Sequence, residues 1–356
     1  MFVKCKEING TGNFMQNASG VVLSHLINSG LDVPSASNLN NPNEIDFTGL
    51  PNNHDEHRSP LNADVKRLVS ASLSDGTKRG YQNDITRFEA WGGSIPAAPE
   101  TVANYVASLS GHYKTATIIR RITALSKAHE AIGALNPTKS EIVRATMRGI
   151  KRTLGTASRQ AKPVLREDLF QMLDCMGHSP KDIRDSALLL IGFAGAFRRS
   201  ELVGLNVSDI EHVRQGIVIH LRRSKTDQTG AGRKIGIPFG RSKWCPVKSL
   251  THWLEIANIV DGPIFRSINR HGQLAHQRLS PEAVCVLVKQ RAKAAGFEPS
   301  NYSGHSLRAG LATSAAMAGA SAWKIRQQTG HASDAMLNRY IRDGDIFTSN
   351  AAGAVL

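Results

Sequence analysis

The sequence predicts a mainly α fold: an N-terminal helical bundle, then a larger, mostly helical domain holding a small antiparallel β-sheet. Three observations carry this. From about residue 61 onward, apolar residues recur at the i, i+3, i+4 positions that line one helix face. Two short runs rich in β-branched residues, 217–221 and 234–238, bracket a polar turn at 222–232, the pattern of a hairpin. A small, polar stretch at 155–162 (GTASRQAK) separates the two helical regions as a linker. At 356 residues the chain is long enough for two cores.

Residues 1–60 hold ten asparagines with scattered Gly, Ser and Pro and no sustained periodicity. They read as a flexible tail, with at most a short helix near 21–27. The bundle, 61–154, divides into helices at 62–73, 75–91, 99–110, 115–132 and 138–153, punctuated by glycines and prolines such as Gly111, Gly133 and Pro137. Thr138-Lys139-Ser140-Glu141 fits a capping box opening the fifth helix. There Val143, Met147, Ile150 and Leu154 form an apolar stripe, and Arg144, Arg148, Lys151 and Arg152 a basic one, rotated from it by roughly 100°. The fourth helix divides similarly, with Ile118, Ile122 and Leu125 inward and Lys114, Arg120, Arg121 and Lys127 outward. The second domain, 163–345, opens at Pro163. Ser179-Pro180 supplies an N-cap and a proline at the first helical position for a core helix that runs through 188–197 and is apolar almost all round. Beyond the hairpin, helices are expected at 246–257, 281–295, 304–318, 321–329 and 333–342, before a small, apolar tail at 346–356.

Lysine and arginine number 44 against 29 aspartate and glutamate, a net charge of +15. The charge is uneven, −3 over residues 1–60 and +18 over the rest. Such an excess calls for a polyanionic partner, and the basic helix stripes favour nucleic acid over solubility alone. No apolar run approaches the length of a membrane span, and the N-terminus lacks a secretory signal pattern. Cys5, Cys175, Cys245 and Cys285 lie far apart with no CxxC pair, which supports neither a zinc site nor a disulfide framework and points to the cytosol.

The chemistry-bearing residues concentrate in 303–342. His305 and Arg308 stand three apart, so a helix brings both to one face. That pairs a group titrating near neutral pH with a permanent cation whose fork fits phosphate oxygens. Gly330-His331 follows, and Tyr340, nine residues beyond that histidine, is of a type that forms covalent intermediates. Earlier, Arg198-Arg199-Ser200-Glu201-Leu202 closes the apolar helix and Lys225 lies in the polar turn. Taken singly each is an ordinary side chain: a salt-bridging arginine, a solvated lysine, a tyrosine packed beside Leu337 and Ile341. Order and spacing give the set its meaning.

Arg198-x-x-Glu201-Leu202, Lys225, His305-x-x-Arg308, Gly330-His331 and Tyr340, in that order, resemble the tyrosine recombinase (phage integrase) family, most nearly its Cre-type members. SGHSLRAG followed by TGHASDAMLNRYIR is similar to their second active-site box, and IHLRRSKT to their lysine hairpin. The likeness extends over roughly 61–345, including 77–91, 99–109 and 117–152 of the bundle. His331 stands where some Cre-type proteins carry Trp, and the Asn-rich tail has no counterpart in the family.

The resemblance implies a core-binding, SAM-like bundle and a catalytic domain clamping duplex DNA from opposite sides. It implies Tyr340 as nucleophile, forming a 3′-phosphotyrosine link without metal or ATP, and Arg198 and Arg308 as phosphate donors. Family register favours Arg198 over the adjacent Arg199, because the acid follows it by three. Lys225 would be the general acid. His305 would assist proton transfer at the tyrosine or bond the phosphate, His331 would donate to a non-bridging oxygen, and Glu201 would orient the arginines or histidines. Lys78, Arg79, Arg120 and Arg121 are candidate groove readers, joined by Glu282, whose carboxylate can accept from cytosine. The partners implied are double-stranded DNA with inverted-repeat sites and three further copies of the chain, in a tetramer with 350–356 packed into a neighbour. Rival readings are a type IB topoisomerase or telomere resolvase, and a catalytically silent DNA-binding regulator.

Overall fold

The computed structural model describes residues 62–156, 160–222, 232–331, 333, 337, 338 and 340. The Asn-rich tail, the turn carrying Lys225 and the segment 346–356 lie outside the described residues. The chain forms two compact units, Met1–Thr156 and Ala157–Leu356.

The first unit is built from α1 (Ala63–Ala71), α2 (Asp75–Ala90), α3 (Pro99–Ser108), α4 (Thr115–Ala131) and α5 (Glu141–Leu154). Ser74 caps α2, its hydroxyl accepting from the Thr77 N–H at 3.3 Å. Ile85, Phe88, Val102, Val106, Ile118, Leu125, Val143, Met147 and Ile150 close one core. The stripes of α5 lie as their spacing requires: Val143, Met147 and Ile150 are buried, and Arg144, Arg148, Lys151 and Arg152 face solvent. Leu154 is exposed, because the stripe outruns the core.

Two expectations fail here. Ser140, not Thr138, precedes the first turn of α5. Thr138 sits in a 3-10 turn, where the Asn136 side chain accepts from its N–H (3.1 Å) and its hydroxyl (2.7 Å), a local bond that outcompetes the capping box. More consequentially, Arg121 does not face outward. Its side chain is 3% exposed. It lies inside the bundle, with Nη1 donating to the Tyr105 hydroxyl (3.3 Å) and the guanidinium carbon 4.0 Å over the Tyr113 ring. The buried carboxylate of Asp84 on α2 draws in both neighbours on α4, Arg120 Nη1 at 2.6 Å from the solvent side and Arg121 Nε at 3.9 Å from within. An arginine with a long apolar stem and a buried counter-charge can join a core, which a count of charges along the helix does not register.

The second unit opens with a segment already docked, Lys162 N–H donating to Asn301 O (2.7 Å) and Val164 N–H to Ser306 O (2.9 Å). Next comes α6 (Arg166–Asp174), absent from the sequence expectations: a short amphipathic helix of about two and a half turns burying Leu169, Met172 and Leu173. The apolar helix is α7 (Pro180–Ala194), capped by Ser179 as expected and packed on α9 (Pro246–Ile256). It stops at Ala194, short of 197. Gly195 and then Ala196, in the left-handed region at φ 48°, break it, and a Cβ at 195 would lie 2.0 Å from the Phe197 ring. The chain re-enters a helix at α8 (Arg199–Gly204).

The three-stranded antiparallel sheet comprises β1 (Ile210–Val213), β2 (Gly216–Leu221) and β3 (Arg233–Pro238), with β2 central and Leu221 opposite Arg233. β1 and the hairpin of β4 (Arg266–Ile268) and β5 (Leu274–Arg278) were not foreseen, being short and largely unburied, with no alternation to read. The remaining helices are α10 (Pro281–Ala294), α11 (Ser306–Met317) and α12 (Ala322–Thr329). Asp185 ties α7 to α10, accepting from Arg184 and Arg291 at 2.6 Å each. Gly310 of α11 runs so close to the docked segment that a Cβ would meet Val164 O at 1.8 Å. No helix among the described residues is long and apolar enough to cross a membrane.

The core placement of Arg121 has a measurable consequence. Arg121→Ala uncovers the buried Asp84 carboxylate and should cost about 3 kcal/mol of stability. Thermal or urea unfolding of the full chain checks this. An unchanged unfolding midpoint together with weakened DNA binding would return Arg121 to the interface.

Candidate active site

The strained turn between α7 and α8 builds one wall of the site. Arg198 is the N-cap of α8, and Glu201 at its third position takes two bonds from it, from the backbone N–H (3.0 Å) and from Nη1 (2.5 Å). Glu201 is buried, so one carboxylate both closes the helix start and holds the guanidinium. Arg199 goes elsewhere: its Nη1 donates to Cys285 Sγ at 3.3 Å, and its Nη2 is 3.7 Å from Glu282 on α10. Of the two adjacent arginines, it is therefore Arg198 that pairs with Glu201.

The opposite wall is the start of α11. His305 is its N-cap and Arg308 lies in its first turn. Arg308 is 1% exposed. Its Nη1 donates to Ala196 O at 2.8 Å and also to Thr329 O. The backbone strain at Ala196 therefore has a use, for that conformation aims the carbonyl at the buried cation. Burial, with Arg198 and Arg233 adding like charge, pulls the Arg308 pKa down to about 10, so the group stays cationic.

The third wall is the end of α12. Gly330 closes the helix in the left-handed conformation, φ 64°. His331 follows at 4% exposure, with Nδ1 2.8 Å from Thr329 Oγ1. That hydroxyl donates its one proton to Ile325 O (2.8 Å), so it must accept from His331, and Nδ1 carries the imidazole proton. Nε2 of neutral His331 therefore keeps a lone pair. Burial, then Arg308 and Arg198, lowers the His331 pKa to about 3.

Tyr340 completes the set. Its hydroxyl is 2.7 Å from His305 Nε2, and its ring centroid is 5.5 Å from that of His331. The ring packs on a small cluster of Ala312, Ala316, Ile325 and Leu337. His305 keeps a solvent-exposed edge, yet enclosure by protein, ahead of Arg308 and Arg198, lowers its pKa below 6.5. Six of the seven expected residues, Arg198, Glu201, His305, Arg308, His331 and Tyr340, thus converge. Lys225 lies outside the described residues.

The candidate DNA-reading residues divide. Arg79, Arg144, Arg148, Lys151, Arg152 and Glu282 are exposed, Lys78 is half-buried, Arg120 is half-exposed and paired with Asp84, and Arg121 is core. One site residue escaped the sequence reading. Arg233, first residue of β3, reaches the α12 terminus and Glu201. It fell between the polar turn and the strand run, where spacing gives no signal.

The chain is similar to known proteins in sequence and in fold. Residues 163–345 match the model of the Phage integrase family. An integrase/recombinase, a XerD homolog of Selenomonas ruminantium, is 40% identical over 315 residues, 86% of this chain and 92% of that protein. The chain belongs to the phage integrase family. It is an enzyme of the tyrosine recombinase type. The Cre recombinase of Escherichia phage P1 is 28% identical over 271 residues, covering 70% of this chain and 78% of that one. The XerH site-specific recombinase, solved on its palindromic difH substrate after cleavage, superposes with a TM-score of 0.59 at 17% identity, covering 81% and 82% of the two chains, a likeness of fold.

The two depressed histidines set a pH dependence of stability for this recombinase. Folded His305 and His331 resist protonation where the unfolded chain, with histidine near 6.5, takes protons up. Their contribution is complete above pH 6.5 and is lost as pH falls, for His331 continuing toward about pH 3. For buried His331 the slope approaches about 1.4 kcal/mol per pH unit, and solvent screening makes the share of exposed His305 smaller. Urea midpoints should drop between pH 7 and pH 5, and His331→Gln should lessen the drop. An identical pH dependence in the variant would show that His331 ionises freely.

Proposed function

We propose that this protein is a site-specific DNA recombinase that cleaves and rejoins strands through a 3′-phosphotyrosine on Tyr340. The observation that carries this reading is the 2.7 Å contact between the Tyr340 hydroxyl and His305 Nε2, in a site that also gathers Arg198, Arg308 and His331. Neutral His305 accepts the phenol proton as the Tyr340 oxygen attacks phosphorus. The Tyr Oη–P bond forms, the P–O5′ bond breaks, and the departing 5′-oxygen takes a proton from Lys225. One phosphodiester replaces another, so the energy of the bond is conserved for rejoining and no nucleotide cofactor enters the balance.

Negative charge gathers on the non-bridging oxygens during attack, and preorganised donors stabilise it without reorganising. Arg198, locked to Glu201, and Arg308, locked to two carbonyls, fill this role. His331 donates from Nε2 once the phosphate anion supports a second proton on the ring. Glu201 orients Arg198. The exposed basic residues of α5, with Arg79 on α2, bind backbone phosphates, which makes affinity steeply salt-dependent. The working unit is a homotetramer on two inverted-repeat sites.

A duplex nicked beside the cleavage point traps the covalent complex, and Tyr340→Phe should trap none. Persistent trapping by Y340F would remove Tyr340 as nucleophile. Lys225→Ala should slow cleavage, and sulfur in place of the 5′-bridging oxygen, a leaving group that needs no proton, should restore the rate. Failure to restore would exclude Lys225 as the acid.

A further inference from the structure

Three guanidinium groups, not two, surround Glu201. Arg198 bonds it directly, Arg233 Nη2 lies 4.0 Å from its Oε2, and the Arg308 cation interacts with it favourably. Arg233 is also held in place. Its Nη1 donates to Gln328 O at 2.9 Å and to Gln327 O at 3.5 Å, carbonyls at the end of α12, where helical partners run out. Gly330 is shaped around it, for a Cβ there would lie 2.6 Å from Arg233 Nη1. The turn that presents His331 is therefore built to admit this side chain.

With one arm of the fork anchored, the other is left over. Arg233 Nη2 is a buried atom with no hydrogen-bond partner among the described residues, and the same holds for Arg308 Nη2. Buried charged donors are normally satisfied, and two orphaned in one cluster point to a missing acceptor. The charge agrees. Three permanent cations face one carboxylate, an excess of two that matches a phosphodiester monoanion under attack by a tyrosinate. The Arg233 charge reaches both Arg308 and His331, lowering the basicity of each.

We propose that Arg233 is a third phosphate-contacting arginine, its Nη2 joining that of Arg308 to donate to a non-bridging oxygen of the scissile phosphodiester. This rests on the reading in which Tyr340 cleaves DNA. A lesser role would be to cap α12 alone, since cations at helix C-termini stabilise the last carbonyls.

Single-turnover cleavage of the nicked duplex separates the two roles when run with the native phosphodiester and with an uncharged methylphosphonate at the scissile position. Arg233→Gln keeps an N–H for the Gln328 carbonyl and removes the charge. It should slow the native substrate by on the order of 10²-fold, as loss of one preorganised oxyanion donor does. On the methylphosphonate, the gap between the variant and the parent enzyme should close to within a few-fold. Equal slowing on both substrates would assign Arg233 to capping and overturn the proposal. Arg233→Lys, which keeps the charge and loses the fork, should fall between the two on the native substrate. A lysine variant as slow as glutamine on both substrates would overturn it too, and unfolding midpoints of each variant exclude misfolding as the cause. Y340F serves as control: covalent product from it would sink the tyrosine reading itself, whereas Tyr340-dependent cleavage with a substrate-independent Arg233 effect would sink only the third arginine.

Discussion

A guanidinium buried to 1% exposure would be costly without acceptors, and the catalytic unit is arranged so that Arg308 has them. Its Nη1 takes Ala196 O, from the turn after α7, and Thr329 O, from the last turn of α12. One side chain on α11 therefore registers two segments more than a hundred residues apart in sequence. The chain leaving α12 brings His331 and leads to Tyr340; the turn after α7 brings Arg198 and Glu201. Neither acceptor is a side chain. Backbone carbonyls can be presented this way only if the chain departs from helix, which is why Ala196 has a positive φ and Gly330 a left-handed one.

The same buried cation sets the protonation of its surroundings. Arg308 and Arg198 add to burial in pushing His305 and His331 toward the neutral form. For His305 this suits a group 2.7 Å from a phenol, because a neutral imidazole can receive the proton. For His331, the Thr329 hydroxyl assigns the single proton to Nδ1 and leaves Nε2 to respond to the anion that enters. Glu201 offsets only part of the positive charge. It sits close enough to fix Arg198 and leaves the site with cationic character for a phosphodiester.

Much of this was legible in sequence, for identifiable reasons. Arg198, Glu201, His305, Arg308 and His331 stand at helix starts and ends that glycines, a Ser-Pro cap and apolar periodicity mark clearly, and Tyr340 was found by its spacing from His331. The stripes of α5 were legible because both apolar and basic positions repeat at helical spacing over several turns. What stayed hidden depends on tertiary partners. Arg121 is core because Asp84 and two tyrosines wait for it, and none of the three lies on its own helix. Arg233 joins the site across a strand and a helix end. α6 and β4–β5 are too short for their periodicity to exceed chance.

Among the described residues, the arginines and the tyrosine pack on clusters of different size, which bears on the proposed chemistry. Arg198 and Arg308 are held through segments continuous with the main core, which includes Phe197, Leu202 and Leu307. Tyr340 packs instead on a separate small cluster dominated by alanines, and stays half-buried. Small clusters bury little apolar area, so displacing a residue from one opposes motion less than displacing it from a large core. Electrostatic stabilisation gains from donors that do not move as charge develops. In the proposed reaction the Tyr340 oxygen advances onto phosphorus and then stays bonded to DNA while the strand is exchanged. Arginines tied into the main core, beside a tyrosine whose ring packs on a small cluster, suit both requirements of that proposal.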